Sequence, residues 1–278
     1  MLDPFELSRF KEAILAQAKR LGPDDKFHFA CHPKLGCFNS CCADVNVYLM
    51  PYDVLRLKRR LGIDSRSFLE QHAIADALDT RGLPIVQLRM TEDEKKRCPF
   101  VTEAGCSVYE DRPWACRMYP IGGASPPAGK AGAETFYFVV ERFESCAGFD
   151  EDREWSVAEW KENQGVAEYE AKSEAFKAIS LHPFFVEQRR TLPLDKSRML
   201  LMACYDLDTF RKFVFETSFL RRFEISPEIV ERLRTDDEAL LIFAYRWLRF
   251  GLFGEPTLTL DAQEVEQKID GMGKMFTR

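Results

Sequence analysis

CPFVTEAGCSVYEDRPWACRMYP, residues 98–120, decides how this chain is read. Cys98, Cys106 and Cys116 stand among the turn formers Pro99, Gly105 and Pro113, so their sulfurs are presented from bends rather than from one helix face. The run CPFVTEAGCSVYE reads as a tight hairpin-like knuckle. Upstream, CHPKLGCFNSCC at residues 31–42 adds Cys31, Cys37, Cys41 and Cys42, with Gly36 to turn the chain. Downstream, Cys146 stands alone. The ninth cysteine, Cys204, sits in the helical pattern MLLMACYDL and reads as a small buried apolar residue.

Whether these thiols mean disulfides or metal depends on the compartment. The N-terminus, MLDPFELSRFKEAIL, scatters charges through an amphipathic pattern and lacks the basic start and apolar run of a secretory signal. The most apolar stretch, LLIFAYRWLRFGLF, is interrupted by Arg246 and Arg249 and is too short for a membrane span, so a buried helix is expected there. A cytoplasmic protein follows, and in a reducing setting clustered thiols serve metals or catalysis. With 39 basic against 45 acidic residues the net charge is -6, the wrong sign for a protein that neutralises phosphates, so nucleic acid is excluded as a partner, as is the membrane. A chain of 278 residues with 46% hydrophobic content buries a core without needing staples.

The rest of the chain supplies a frame. Asp3, Pro4 and Glu6 open a first helix that Gly22 ends. VNVYLM reads as a strand, followed by a helix from Pro51 to a stop at Gly62 and a short helix over SRSFLEQHA. LPIVQLRM and TFYFVVERF read as strands, and IGGASPPAGKAGA between knuckle and strand as a loop. From Trp155 onward four or five helices are expected, with capping boxes at Ser156/Glu159 and Thr235/Glu238 and a helix opened by Ser226 and Pro227. Leu200, Leu207, Phe210 and Phe213, or Leu241, Tyr245 and Leu248, are stripes that make a core. The fold class is therefore α+β: residues 1–150 form an irregular cysteine-rich unit with a few strands, packed against a mainly helical 151–278.

Eight cysteines are candidate ligands: Cys31, Cys37, Cys41, Cys42, Cys98, Cys106, Cys116 and Cys146. Neighbours such as Cys41 and Cys42 project in different directions, so they serve different sites or one of them is no ligand. Two four-cysteine sites, or one cluster with shielding thiols, both satisfy the spacing. His28 and His32 flank Cys31, while His72 and His182 have no sequence partners and no assigned role.

These residues resemble the YkgJ-type cysteine-cluster family, which carries a zinc- or iron-chelating CxxCxxCC signature. The likeness rests on Cys31 to Cys42 with VNVYLMPYDVLRLKRRLGI, on Cys98-Pro99-Phe100, Gly105-Cys106-Ser107-Val108-Tyr109-Glu110, Arg112-Pro113, Cys116-Arg117 and Tyr119-Pro120, and on Cys146 with Gly148-Phe149. Five residues separate Cys31 from Cys37 and three separate Cys37 from Cys41, looser than the family pattern, so either Cys31 or Cys37 corresponds to its first ligand. The resemblance implies metal binding more firmly than a reaction. A distant similarity to flagellin lysine N-methylase implies methyl transfer, yet no GxGxxG fingerprint for a nucleotide-like cofactor is present.

Three functions follow. The first is an iron–sulfur protein with a redox or group-transfer role, in which Arg112 and Arg117, with Arg97 nearby, offset the charge of a thiolate cluster; the bland role for these arginines is a surface ion pair with Glu110 or Asp111. The second is a non-catalytic zinc module whose helices meet a protein partner. The third, a cysteine nucleophile, has only His32 beside Cys31 as a local base. Whether the chain is an enzyme, and whether its partner is a protein or a small molecule, stays open.

Overall fold

A computed structural model describes residues 19–124, 136–140, 146–186, 188 and 190–262. The chain divides into two compact units, residues 1–197 and 198–278. The expected first helix, up to residue 18, lies outside the described residues. At its predicted end the backbone is not helical: Leu21 bridges to Tyr137, its N–H donating to the Tyr137 carbonyl at 2.7 Å.

In the first unit the α+β expectation holds, with four antiparallel ribbons and short helices among the described residues. Strand β1 (Lys26–His28) pairs with β8 (Glu154–Ser156), β2 (Ala73–Leu78) with β3 (Pro84–Leu88), β4 (Val101–Thr102) with β5 (Gly105–Cys106), and β6 (Ile121–Ala124) with β7 (Phe136–Val139). A two-stranded ribbon is marginal in water, so each must lean on other elements. For β1, β6 and β7 the support is a buried cluster of Phe27, Phe29, Met118, Ile121, Tyr137, Val157 and Trp160.

The helices of this unit are α1 (Pro51–Leu61), α2 (Ser65–His72), α3 (Trp114–Met118), α4 (Val157–Asn163), α5 (Val166–Ser180) and α6 (Pro183–Val186). Pro51 opens α1 where a missing N–H is harmless, and Gly62 closes it at φ 66°, a left-handed value that glycine adopts without strain. Asp64 caps α2 by accepting from Ser67 N–H at 2.8 Å. At α4 the Ser156/Glu159 capping box is formed as expected.

Three expectations need correction here. VNVYLM is extended but pairs with β3 only through a bridge, Tyr48 to Gln87, because Pro51 turns the chain into α1 directly afterwards. Residues 121–124 of the supposed loop are strand β6. Its glycines leave room for aromatic rings, since a Cβ at Gly122 would lie 2.5 Å from the Phe138 ring and one at Gly123 would lie 3.3 Å from Trp114. Residues 125–133 of that loop lie outside the described residues. From Trp155 onward the described residues hold more and shorter helices than the four or five expected, because Gly165, Pro183 and Asp206 interrupt the pattern.

The second unit contains the end of α7 (Leu194–Tyr205), then α8 (Leu207–Glu216), α9 (Pro227–Thr235) and α10 (Asp237–Phe253). Leu200, Leu207, Phe210, Leu241, Tyr245 and Leu248 are buried, so the apolar stripes do make a core. Phe210 stacks on Trp247 at 5.4 Å between ring centroids. Ser226 and Pro227 open α9 as expected, but α10 is capped by Asp236, which accepts from Glu238 and Ala239 N–H, and Thr235 is the last residue of α9. Among the described residues no helix is long and apolar enough to cross a membrane.

Candidate metal centre

The knuckle forms as the sequence indicates. β4 and β5 pair Val101 with Cys106 and Thr102 with Gly105, and Gly105 sits at φ 120°, which L side chains rarely adopt. Burial raises the Cys98 and Cys106 thiols, while the backbone N–H groups of Phe100 and Val101 beside Cys98 and of Val108 beside Cys106 pull the other way. Backbone N–H groups aimed at sulfur favour the thiolate that a metal requires.

Cys42 is carried to this knuckle by main-chain bonds. Cys98 N–H donates to the Cys42 carbonyl at 2.7 Å, and Asp44 N–H donates to Lys96 at 2.8 Å. Asn39 Nδ2 adds a bond to the Thr102 carbonyl at 3.1 Å. Asn39, Asp44 and Lys96 all have left-handed φ, at 67°, 49° and 43°. Such backbone is sparsely populated by residues other than glycine, so the loops bend sharply on both sides of the Cys42–Cys98 contact. Cys41 and Cys42 lie in the 3₁₀ turn Ser40–Cys42, where successive side chains point about 120° apart at three residues per turn.

Cys116 reaches the same region on α3, through a residue the sequence reading did not single out. Asp53, 1% exposed, accepts from Met50 N–H at 2.7 Å and from Trp114 N–H at 2.8 Å. One carboxylate thereby caps the first turns of α1 and α3 and ties them together. Burial pushes its carboxyl up to about 6, against the pull of the two N–H donors and of nearby Arg117.

The segments that bear Cys31 and Cys146 run side by side. Phe29 N–H donates to Arg153 at 2.9 Å and Ala30 N–H to Gly148 at 3.0 Å, extending the β1–β8 pairing toward both cysteines. A Cβ on Gly148 would lie 2.7 Å from the Ala30 carbonyl oxygen, so this close approach needs glycine. Tyr119 O–H donates to the Cys146 sulfur at 3.6 Å.

The thiols also feel one another's charge. Burial raises Cys31 to about 11, with Cys41, Cys37 and Cys146 acting in the same direction. Cys42 is pushed well up by a hydrogen bond with the Cys41 thiol and by burial, with the charges of Cys98 and Cys116 adding to this. Cys98 and Cys116 are raised too, Cys98 by burial and Cys106, Cys116 by burial, Cys98 and Cys106. Solvent reaches Cys116 and moderates the burial contribution there; the neighbouring charges support the same upward direction. Thiols that resist ionisation side by side are those that a cation would deprotonate together.

Arg112 and Arg117 are both buried. Arg117 donates to the carbonyls of Arg112 at 3.1 Å, Gln164 at 2.7 Å and Glu110, and lies over the Tyr169 ring. Arg112 donates to the Tyr109 carbonyl and to Gln164 Oε1 at 2.6 Å, and its charge lowers the pKa of Cys106 and Cys116. Asp111 pairs instead with Arg56 at 2.7 Å, and Arg97 is exposed. His32 Nε2 faces Glu151 at 3.2 Å, and His28 faces Glu154 at 3.8 Å. His72 lies between Phe68 and Phe100, its ring tilted by 41° and 45° to theirs, and His182 accepts from Phe184 N–H at 3.1 Å. Cys204 is fully buried, as expected of a core residue. The partners missed at sequence level, Asp53, Tyr119 and Gln164, act across long separations; only Asp53, at the third position of a helix opened by Pro51, carried a local signal.

Eight soft thiols, two of them beside backbone N–H groups, fit zinc or iron in donor chemistry. The fit in geometry is looser: among the described residues no group of three or more Cys, His, Asp or Glu side chains is closed enough to hold a metal ion.

Residues 30–148 match the CxxCxxCC family model, described as "Putative zinc- or iron-chelating domain". The CxxCxxCC match bears out the resemblance read from the cysteine pattern and supports metal binding. It encloses every cysteine from Cys31 to Cys146 and leaves Cys204 outside. No curated protein and no solved structure gives a match.

Proposed function

We propose that the CxxCxxCC domain holds an iron–sulfur cluster on its thiolates and that the protein serves a redox or group-transfer step in the cytoplasm. The observation that carries this reading is the Cys98 N–H bond to the Cys42 carbonyl, which brings two cysteine loops from separate chain segments together beside the β4–β5 knuckle. A bound cluster would supply one-electron chemistry or anchor a transferable group. The chain's own part is to ligate it and to set its charge environment, in which buried Arg112 offsets the negative charge near Cys106 and Cys116. Methyl transfer to a protein lysine is the group transfer that the likeness to flagellin lysine N-methylase favours.

A second reading, a zinc module meeting a protein partner, draws support from the two-residue strands of the knuckle, which gain from folding free energy supplied by a metal. The nucleophile reading is disfavoured, because Cys31 beside His32 is pushed up to about 11, opposite to an activated thiol. Protein purified without oxygen separates the first two. A brown colour that bleaches on reduction is expected, and colourless protein with stoichiometric zinc overturns the iron reading in favour of the zinc one.

A further inference from the structure

We propose that Cys42 and Cys98 close into a reversible disulfide when the metal-free chain meets a small-molecule disulfide such as oxidised glutathione. This goes beyond the chelating reading and stands without it, since it needs two thiols in register rather than a closed cage. On the chelating reading, oxidation withdraws two candidate ligands at once and reduction returns them.

The register of the two loops carries the pairing. Ala43 bridges antiparallel to Arg97, with Asp44 N–H donating to the Lys96 carbonyl at 2.8 Å on one side and Cys98 N–H to the Cys42 carbonyl at 2.7 Å on the other. One residue outward from that bridge, Cys42 stands opposite Cys98. Opposite residues joined by such a bond have Cα atoms about 5.5 Å apart, inside the roughly 4.4 to 6.8 Å that disulfides span. Cys41 is the rival, because its thiol hydrogen-bonds with that of Cys42. Its Cα, however, lies only about 3.8 Å from that of Cys42 across a trans peptide, short of the disulfide range, so a bond between these neighbours would strain the 3₁₀ turn. Cys106 faces Val101 across the knuckle and is not in this register. Both Cys42 and Cys98 are half-buried, open enough for a small disulfide to reach. Left-handed backbone at Asn39, Asp44 and Lys96 already bends the loops around the contact, so closure asks for little further ordering. In the exchange one thiolate attacks the glutathione disulfide, forming a mixed disulfide and releasing one glutathione. The second thiolate then displaces the other glutathione as the Cys42–Cys98 bond forms, so that two electrons and two protons pass from the protein thiols to two glutathione thiols.

Peptide mapping tests this on the full chain, reduced, stripped of metal with a chelator, incubated with oxidised glutathione in the absence of oxygen and then alkylated. Tandem mass spectrometry is expected to find that the first and dominant cross-link joins Cys42 to Cys98, and dithiothreitol should reverse it. Cys41→Ser should retain the link. The wild-type map needs no variant and decides the question even where this variant fails to fold. A dominant link between Cys41 and Cys42, or from either Cys42 or Cys98 to Cys106 or Cys116, overturns the proposal. So do stable glutathione adducts in place of a link, an unchanged count of free thiols, or loss of the link in folded Cys41→Ser.

Discussion

Cys98 donates its backbone N–H to the carbonyl of Cys42 at 2.7 Å, and this bond joins two cysteine loops that the sequence places far apart. Left-handed backbone at Asp44 and Lys96 bends both loops beside it. Each such residue costs about 1 kcal/mol or more, so the contact is held by its surroundings rather than by local preference.

Gly148→Ala should destabilise the first unit by roughly 1 to 3 kcal/mol, because the new methyl group would press on the Ala30 carbonyl and the Phe29 ring at 2.7 and 2.8 Å. Urea unfolding checks this. A variant as stable as the wild type would mean the two segments are not held this closely.

Asp53 gives a pH signature. Its folded-state pKa, about 6, is raised above the ordinary 3.8, so its contribution to stability is fully present below pH 3.8 and is lost as pH rises through about 6. Across that window the loss amounts to roughly 2 to 3 kcal/mol. Asp53→Asn should flatten this slope in unfolding measurements between pH 4 and pH 7, and an unchanged slope would assign it to other groups.

Arg117→Lys is not a conservative change, because an ammonium cannot reach the carbonyls of Glu110, Arg112 and Gln164 together. Leaving buried carbonyls unpaired should cost about 2 to 4 kcal/mol, read as a lower midpoint in denaturant. A loss below about 0.5 kcal/mol, the level of an ordinary surface change, would contradict the network.

Metal affinity should rise with pH. Cys31, with a pKa of about 11, and the similarly raised Cys42 and Cys98 hold protons at neutral pH that binding must displace. Each displaced proton adds about tenfold in affinity per pH unit. Chelator competition for zinc at pH 6 and pH 8 measures the slope, and a flat response would count against thiolate ligation.

Cys204→Ala serves as the contrast. The residue is fully buried and lies outside the matched domain, so stability should fall by about 1 kcal/mol while metal content stays unchanged. Loss of metal in this variant would place a ligand where none is expected.

What could be read beforehand was what local chemistry dictates. Pro51 and Gly62 marked the bounds of a helix, and Pro99 and Gly105 marked a knuckle, because each acts on its own backbone. Gly122 and Gly123 misled for the same reason: their flexibility suggests a loop, while the rings of Phe138 and Trp114 lie over them only after folding. Thr235 and Asp236 are both good caps, and tertiary context selected the second. At the site, adjacency suggested that Cys41 and Cys42 diverge, yet their thiols hydrogen-bond to each other. The neighbours of the other thiols depend on bonds such as Ala30 to Gly148 that no local pattern encodes.

The pairing of β1 with β8 joins Lys26 to a strand 128 residues later, at Glu154. A nascent chain leaving the ribosome therefore has Cys42, Cys98, Cys106 and Cys116 in hand well before Cys146 has been synthesised. The Cys42–Cys98 contact can form while translation continues, whereas the Ala30–Gly148 contact beside Cys31 must wait until the closing strand arrives.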